Sequence, residues 1–82
     1  MKNIDRIRTN VRDIVCNYTE LSGIVNIVLN DAIASDNSIS CEEDLIITSL
    51  DLLSCDYDSI KNIPIKDVIE VRDAFELALH WL

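Results

Sequence analysis

Apolar residues recur from Ile4 to Ala32 at alternating spacings of three and four positions. This spacing places them along one side of an α-helix, as in the a and d positions of a heptad. The pattern predicts either one long helix over residues 3–33 or a pair of helices. We favour a break near residues 19–23, because Gly23 costs a helix interior ~1 kcal/mol relative to alanine. The apolar positions are Ile4, Ile7, Val11, Ile14, Tyr18, Leu21, Val25, Val28 and Ala32.

Two further helices are predicted after a polar connection over residues 34–39. Ser40 and Glu43 have the spacing of a capping box, in which each side chain accepts a hydrogen bond from the other residue's backbone amide. The helix that they start is predicted to run to about Ser54. A turn is predicted at residues 56–59, and Pro64 suits the first position of a last helix, since proline has no amide proton. The apolar face of the last helix contains Val68, Val71, Phe75, Ala78 and Leu82.

These elements predict an all-α fold, a small bundle of three to four amphipathic helices in a single domain over residues 1–82. One glycine and one proline leave few turn-forming residues for a sandwich or barrel of many strands. No apolar run approaches the ~18 residues of a membrane helix, and the charged start of the chain lacks the apolar region of a signal peptide. The protein is therefore expected in the cytoplasm, without a membrane partner.

The charge of the chain is strongly acidic and unevenly distributed. There are 15 Asp and Glu residues against 7 Lys and Arg residues, which gives a net charge of −8. Direct binding to nucleic acid is not expected, because phosphate backbones bind basic surfaces. Arg6, Arg8 and Arg12 nevertheless make the start of the chain basic. This basic edge is expected to be a solvated helix face, or to meet an acidic surface of the same chain or of a partner.

The sequence contains no recognisable catalytic, cofactor-binding or metal-binding motif, so it predicts a protein that is not an enzyme. His80 is the sole histidine, and it has no second ligand at the spacing of a metal site. Cys16, Cys41 and Cys55 lack CxxC spacing and are expected to be reduced thiols, as in the cytosol. The carboxylates cluster at a helix start and in turns, where capping and solvation account for them.

The N-terminal apolar seam is the predicted interaction surface. A chain this short has few apolar residues with which to cover the seam, so a second copy is expected to do so, which gives a homodimer. The alternative is an intramolecular bundle in which the last helix covers the seam. Aromatic side chains are frequent interface anchors. The predicted interface residues are Ile4, Ile7, Arg8, Val11, Arg12, Ile14, Tyr18 and Trp81.

One segment of the chain resembles the acyl and peptidyl carrier proteins. Residues 43–51 are similar to the carrier segment that ends in Asp-Ser-Leu, and Ile63-Pro64-Ile65 with the later residues 71–74 is similar to the carrier C-terminal stretch. The resemblance implies that Ser49 would be the attachment point of phosphopantetheine. The sequence departs from the family pattern at Thr48, which stands where the carriers have aspartate.

Three blocks are similar in layout to the small enterobacterial biofilm and acid-resistance regulators of the YmgB/AriR family. Residues 20–37 resemble the first core helix and polar hinge of that family, residues 44–58 its middle helix, and residues 71–81 its last helix. Ser35 and Ser54 replace the glycine of the hinge and the terminal glutamate of the middle helix, and the loop with Pro64 is longer. The resemblance implies a dimeric helical regulator that acts through protein contacts, and it carries over no catalytic residues.

The favoured function is therefore non-catalytic protein–protein interaction by a small regulatory homodimer that also binds a second protein. Two alternatives remain. The first is a carrier protein with Ser49 as its phosphopantetheine site. The second is a phage or plasmid inhibitor or immunity protein, whose acidic surface would block a basic target site.

Overall fold

The computed structural model of the protein describes residues 3–82, and its regular elements are all helices. No strand occurs within these residues, so the predicted all-α bundle is confirmed. The helices are α1 (Asn3–Val15), α2 (Ser22–Ser35), α3 (Glu42–Leu53), the short α4 (Tyr57–Lys61) and α5 (Ile65–His80).

The predicted break in the N-terminal region is confirmed, and it lies between residues 16 and 21. Gly23 is not the cause, because it lies inside the first turn of α2. The connection is held by Thr19, which is 7% exposed. Its hydroxyl accepts a hydrogen bond from the Leu21 amide at 3.2 Å and donates one to Glu70 Oε2 on α5 at 2.6 Å. A hydroxyl that joins two segments in this way satisfies a buried polar group and fixes where the chain turns.

The helix α3 is the centre of the bundle, since it packs against α1, α2, α4 and α5. Its buried side carries Leu45, Ile46 and Leu53, together with Ser49, whose hydroxyl donates to the Leu45 carbonyl at 2.7 Å. The surrounding helices each contribute one apolar side to the same interior. The buried apolar residues are Ile7, Val11, Val15, Val25, Val28, Leu29, Ala32, Leu45, Ile46, Leu53, Tyr57, Val68, Val71, Ala74, Phe75 and Ala78.

The start of α3 differs from the predicted capping box. Cys41 is the N-cap residue, so the helix begins one position later than predicted. This shift moves the N3 position, whose carboxylate reaches back in a capping box, from Glu43 to Asp44. Asp44 Oδ2 accepts hydrogen bonds from the Ser40 amide at 3.4 Å and from the Ser40 hydroxyl at 3.2 Å.

The predicted turn at residues 56–59 is instead the start of the short helix α4. Asp56 and Asn62 flank α4, and both have a φ of 56°, in the left-handed region. Asn and Asp occupy this region more readily than other non-glycine residues, so they can bend the chain here without glycine. Tyr57 is 3% exposed and attaches α4 to the core. The prediction of a turn missed this helix because its five residues are too few to show a helical period.

The last helix, α5, begins at Ile65, so Pro64 is its N-cap rather than its first residue. The predicted core face of α5 is confirmed for Val68, Val71, Phe75 and Ala78. Leu82 is 54% exposed, because it follows the end of α5 and leaves the buried side of the helix.

Candidate functional site

The predicted N-terminal seam lies inside the single chain. The helix α1 packs against α2, α3 and α5, and these helices cover its apolar side. Val11 has no exposed area and Ile7 is 5% exposed, while Ile4 and Ile14 are half-buried. The prediction that Ile7 and Val11 form an intermolecular interface is therefore wrong. Three other helices of the same chain supply the apolar surface that a second copy was expected to provide.

The other predicted interface residues reach solvent in separate elements. Arg8 and Arg12 lie on α1 and line a polar pocket, while Tyr18 lies in the connection that follows and is 39% exposed. Trp81 caps the C-terminal end of α5 and is 70% exposed. Its ring meets the His80 ring edge to face, with centroids 5.2 Å apart. These four side chains remain candidates for binding.

The outward side of α5 carries a row of exposed residues four positions apart, which we call the α5 row. It consists of Ile65, Ile69, Asp73, Leu77 and Trp81. Residues four apart form a ridge on a helix surface, and such ridges pack into the grooves of another helix. The four apolar members are all exposed, between 41% for Ile69 and 70% for Trp81. The α5 row is therefore a helical ridge of apolar side chains that no other part of residues 3–82 covers.

The carboxylates beside the α5 row are mostly held by their own chain. Glu70 accepts the hydrogen bond of Thr19, and Glu76 lies 4.0 Å from the Arg72 guanidinium. The carboxylate of Asp73, in the middle of the row, has no hydrogen bond or ion pair with any residue among 3–82. Asp73 is thus the member of the α5 row that brings a carboxylate without a partner among residues 3–82.

A polar pocket of about 280 Å³ lies between α1 and α2, and we call it the α1–α2 pocket. Arg8, Thr9 and Arg12 line it from α1, and Asn26 and Asn30 line it from α2. Arg8 Nη1 donates to Asn30 Oδ1 at 2.9 Å. The pocket brings together two of the predicted basic residues with two amides that the sequence analysis did not single out.

A third polar cluster joins α2 to α4. The Tyr57 hydroxyl donates to Asp31 Oδ2 at 2.7 Å, and Lys61 Nζ lies 3.0 Å from the same oxygen. Burial alone would raise the pKa of Asp31, but the hydrogen bonds from Tyr57 and Lys61 and the Lys61 charge lower it below the usual 3.8. Burial and the adjacent carboxylate together raise the pKa of Tyr57 far above the usual 10. Asp31 is therefore a carboxylate and Tyr57 a neutral phenol at neutral pH, which suits a structural tie between helices.

Ser49 does not meet the requirements of a phosphopantetheine site. It has no exposed area, lies in the middle of α3, and its hydroxyl donates to the Leu45 carbonyl. A modifying enzyme could reach its oxygen only if the core opened. The structure therefore counts against the predicted alternative role of Ser49, because the side of α3 that carries it faces the interior.

The described residues offer little other site chemistry. Among residues 3–82, no group of three or more His, Cys, Asp or Glu side chains is arranged to hold a metal ion. Cys16, Cys41 and Cys55 are free thiols; Cys55 is exposed, and the other two are half-buried. Within the same residues, no helix has the length and apolar character that crossing a bilayer requires.

Comparison with protein-family models, with curated proteins and with solved structures found no match for this chain.

Two parts of the candidate surfaces were missed in the sequence and had different signals. The α5 row could have been found, because Ile65, Ile69, Leu77 and Trp81 follow a four-residue spacing of their own beside the core spacing of α5. The pairing of Arg8 with Asn30 had no such signal. It depends on how α1 and α2 pack, and polar residues at helical spacing are present on most exposed helix faces.

Proposed function

We propose that this protein is a non-catalytic interaction module of the cytoplasm that forms a homodimer through the α5 row. The observation that carries the proposal is the unpartnered apolar ridge on α5. Single exposed apolar residues are ordinary on protein surfaces, whereas an ordered row with a tryptophan at one end is typical of binding surfaces. A regulatory role is supported by the resemblance to the YmgB/AriR regulators.

The arrangement of the row supports a symmetric dimer. Its apolar members stand four and eight positions on either side of Asp73. In an antiparallel pair of α5 helices related by a two-fold axis at Asp73, Ile69 would meet Leu77 of the partner subunit. Ile65 and Trp81 would lie at the rim of this interface, since eight residues turn a helix about 80° beyond two full turns. A two-fold interface requires such self-complementarity, because each residue that contacts a second one is contacted by its copy in return.

The geometry of the row is also suited to helix packing. Two ridges of i±4 spacing interdigitate when helices cross at about −50°, which is the commonest packing of helices in globular proteins. Burying one large exposed aliphatic side chain contributes roughly 1.5–3 kcal/mol. Several such residues on each subunit can offset the loss of translational and rotational freedom on association.

Asp73 would set the strength of this dimer. At the two-fold axis its carboxylate would lie near Asp73 of the partner subunit, and two like charges repel. The dimer is therefore expected to be reversible and to tighten when salt screens the pair. The substitution Asp73→Asn removes both charges and is expected to strengthen association.

Sedimentation equilibrium of wild type and variants tests the proposal. Leu77→Asp places a charge in the ridge and is expected to weaken the dimer at least about tenfold, since it removes a burial of roughly 1.5–3 kcal/mol. Ile60→Asp is the matched control, because Ile60 is 71% exposed but lies on α4. Wild-type protein that sediments as one chain from micromolar to millimolar concentrations would contradict the dimer.

One observation supports a second use of the same surface, as an inhibitor of a basic target. The α5 row combines exposed apolar side chains with an unpaired carboxylate, which a basic partner with an apolar patch would complement. The substitution Asp73→Asn separates the two functions. It is expected to tighten self-association and to weaken capture of a basic partner.

A further inference from the structure

We propose that the α1–α2 pocket binds an oxyanion, the shared chemistry of carboxylate and phosphate groups. Arg8 and Arg12 lie one turn apart on α1, and Asn26 and Asn30 lie one turn apart on α2. Together with Thr9, these side chains line an open pocket of about 280 Å³. A water molecule occupies about 30 Å³ in the liquid, so the pocket has room for a carboxylate or a phosphate group.

The side chains of the pocket offer more hydrogen-bond donors than acceptors. A guanidinium has five N–H donors and no acceptor. Asn30 uses its oxygen to accept from Arg8, which leaves its amide nitrogen as a donor. The Asn26 side chain has no hydrogen-bond partner among residues 3–82. A wall of this kind is complementary to an oxyanion, whose oxygens only accept.

The register of the two helices indicates where the oxyanion would lie. Arg8 bonds to Asn30, and Ile4 and Ile33 line a common depression farther along, so α1 and α2 run antiparallel. This register brings Arg12 opposite Asn26. No hydrogen bond joins that second pair within residues 3–82, and Arg12 Nη2 instead lies 3.4 Å from Asp13 Oδ1. An oxyanion between Arg12 and Asn26 would supply the missing acceptor.

The carboxylates that already approach the arginines are weak competitors. Asp5 lies 3.9 Å from Arg8 Nη2, and Asp13 lies beside Arg12; their side chains are 67% and 66% exposed. Exposed ion pairs of this kind contribute about 0–1 kcal/mol, because water screens them and holding long side chains costs entropy. A bound oxyanion could accept hydrogen bonds from both guanidinium groups at once, whereas each aspartate approaches only one of them.

Nuclear magnetic resonance titration tests the site with three probes: inorganic phosphate, acetate, and sodium chloride at matched ionic strength. Phosphate or acetate is expected to shift the side-chain amide signals of Asn26 and Asn30. Arg8→Gln and Arg12→Gln are each expected to weaken binding about tenfold, the factor for one charge-assisted hydrogen bond. Arg72→Gln is the control, because Arg72 lies on α5 outside the pocket and is also half-exposed.

The outcome is decided by the probe and by the variant. A stronger response to phosphate identifies a phosphate group as the ligand, and a stronger response to acetate identifies a carboxylate. Equal shifts with sodium chloride, or unchanged binding by both pocket variants, would overturn the site. The backbone spectrum of each variant reports whether it is folded. The titration is repeated with the Leu77→Asp variant, in which the proposed dimer is weakened. Oxyanion binding that is unchanged in this variant does not depend on self-association.

Discussion

Among single residues, Asp31 ties two helices together, because one of its oxygens joins α2 to two residues of α4. Its lowered pKa has a direct consequence for stability. A carboxylate with a lowered pKa in the folded state stabilises the protein above its unfolded pKa, near 3.8. That contribution disappears as the pH falls through the lowered folded value.

The substitution Asp31→Asn is therefore expected to destabilise the protein at neutral pH and to lose this effect in acid. The expected loss at pH 7 is about 1 kcal/mol, since the hydrogen bonds are charge-assisted but the pair is partly exposed to water. Urea unfolding of wild type and variant at neutral pH and at a pH below the lowered folded pKa of Asp31 measures the difference. If wild type and variant differ in their free energy of unfolding by the same amount at both pH values, the carboxylate charge is not the source of the difference.

Ser49 gives a second test at the residue scale. Because its hydroxyl is buried and bonded within α3, expression with a phosphopantetheinyl transferase is expected to leave the intact mass unchanged. Ser49→Ala removes that hydrogen bond, which lowers stability, but alanine has a higher helix propensity than serine, which raises it. The free energy of unfolding is therefore expected to change by less than about 1 kcal/mol. A mass increase equal to phosphopantetheine in wild type, and its loss in the alanine variant, would restore the carrier interpretation.

At the scale of the helices, α2 contains a position that can be improved. Gly23 lies in the first turn of α2, is exposed and does not have a positive φ, and a Cβ added to it would meet no atom within 4 Å beyond its own stretch of helix. Gly23→Ala is therefore expected to stabilise the protein by about 0.4–1 kcal/mol, chiefly because alanine restricts the unfolded chain. Thermal unfolding measures this gain. Ser22→Ala, at the neighbouring exposed position, is the control that leaves the glycine in place, and a destabilised Gly23→Ala would mean that this turn is not helical.

The helix α5 has different roles on its two sides. Phe75 has no exposed area and is the largest fully buried side chain, whereas Leu77 on the outer side is 45% exposed. The same helix thus contributes to the interior with one face and presents the α5 row with the other. Substitutions two positions apart are expected to separate folding from association.

For the whole molecule, the small size of the core makes Phe75 critical. A chain of 82 residues is expected to have a free energy of unfolding of about 4–12 kcal/mol. Phe75→Ala removes about 3–5 kcal/mol and is expected to leave a protein that is largely unfolded or melts far below wild type. Leu77→Ala is the matched control and is expected to cost at most about 1 kcal/mol by urea unfolding while weakening the dimer. Similar losses in the two variants would contradict the two-sided role of α5.

Much of the fold and part of the candidate surface could be predicted from local patterns. The helical period of the apolar residues, the polar connection at residues 34–39 and the scarcity of glycine and proline predict separate helices without sheet. These signals act over a few residues, so they do not depend on how the chain packs. The exposed Arg8, Arg12 and Trp81 were also identified as candidates, because charge and aromatic character are visible in the sequence.

Packing was needed to assign each apolar face to the interior or to the surface. The seam of α1 and the row of α5 are both helical ridges of large apolar side chains, and a periodic pattern is the same whether another helix of the chain or a partner covers it. The bundle buries Ile7 and Val11 against α3 and its neighbours and leaves Ile69 and Leu77 exposed. The outer helices α1 and α5 each leave one side in solvent, and which side is covered depends on contacts between residues that are far apart in the chain.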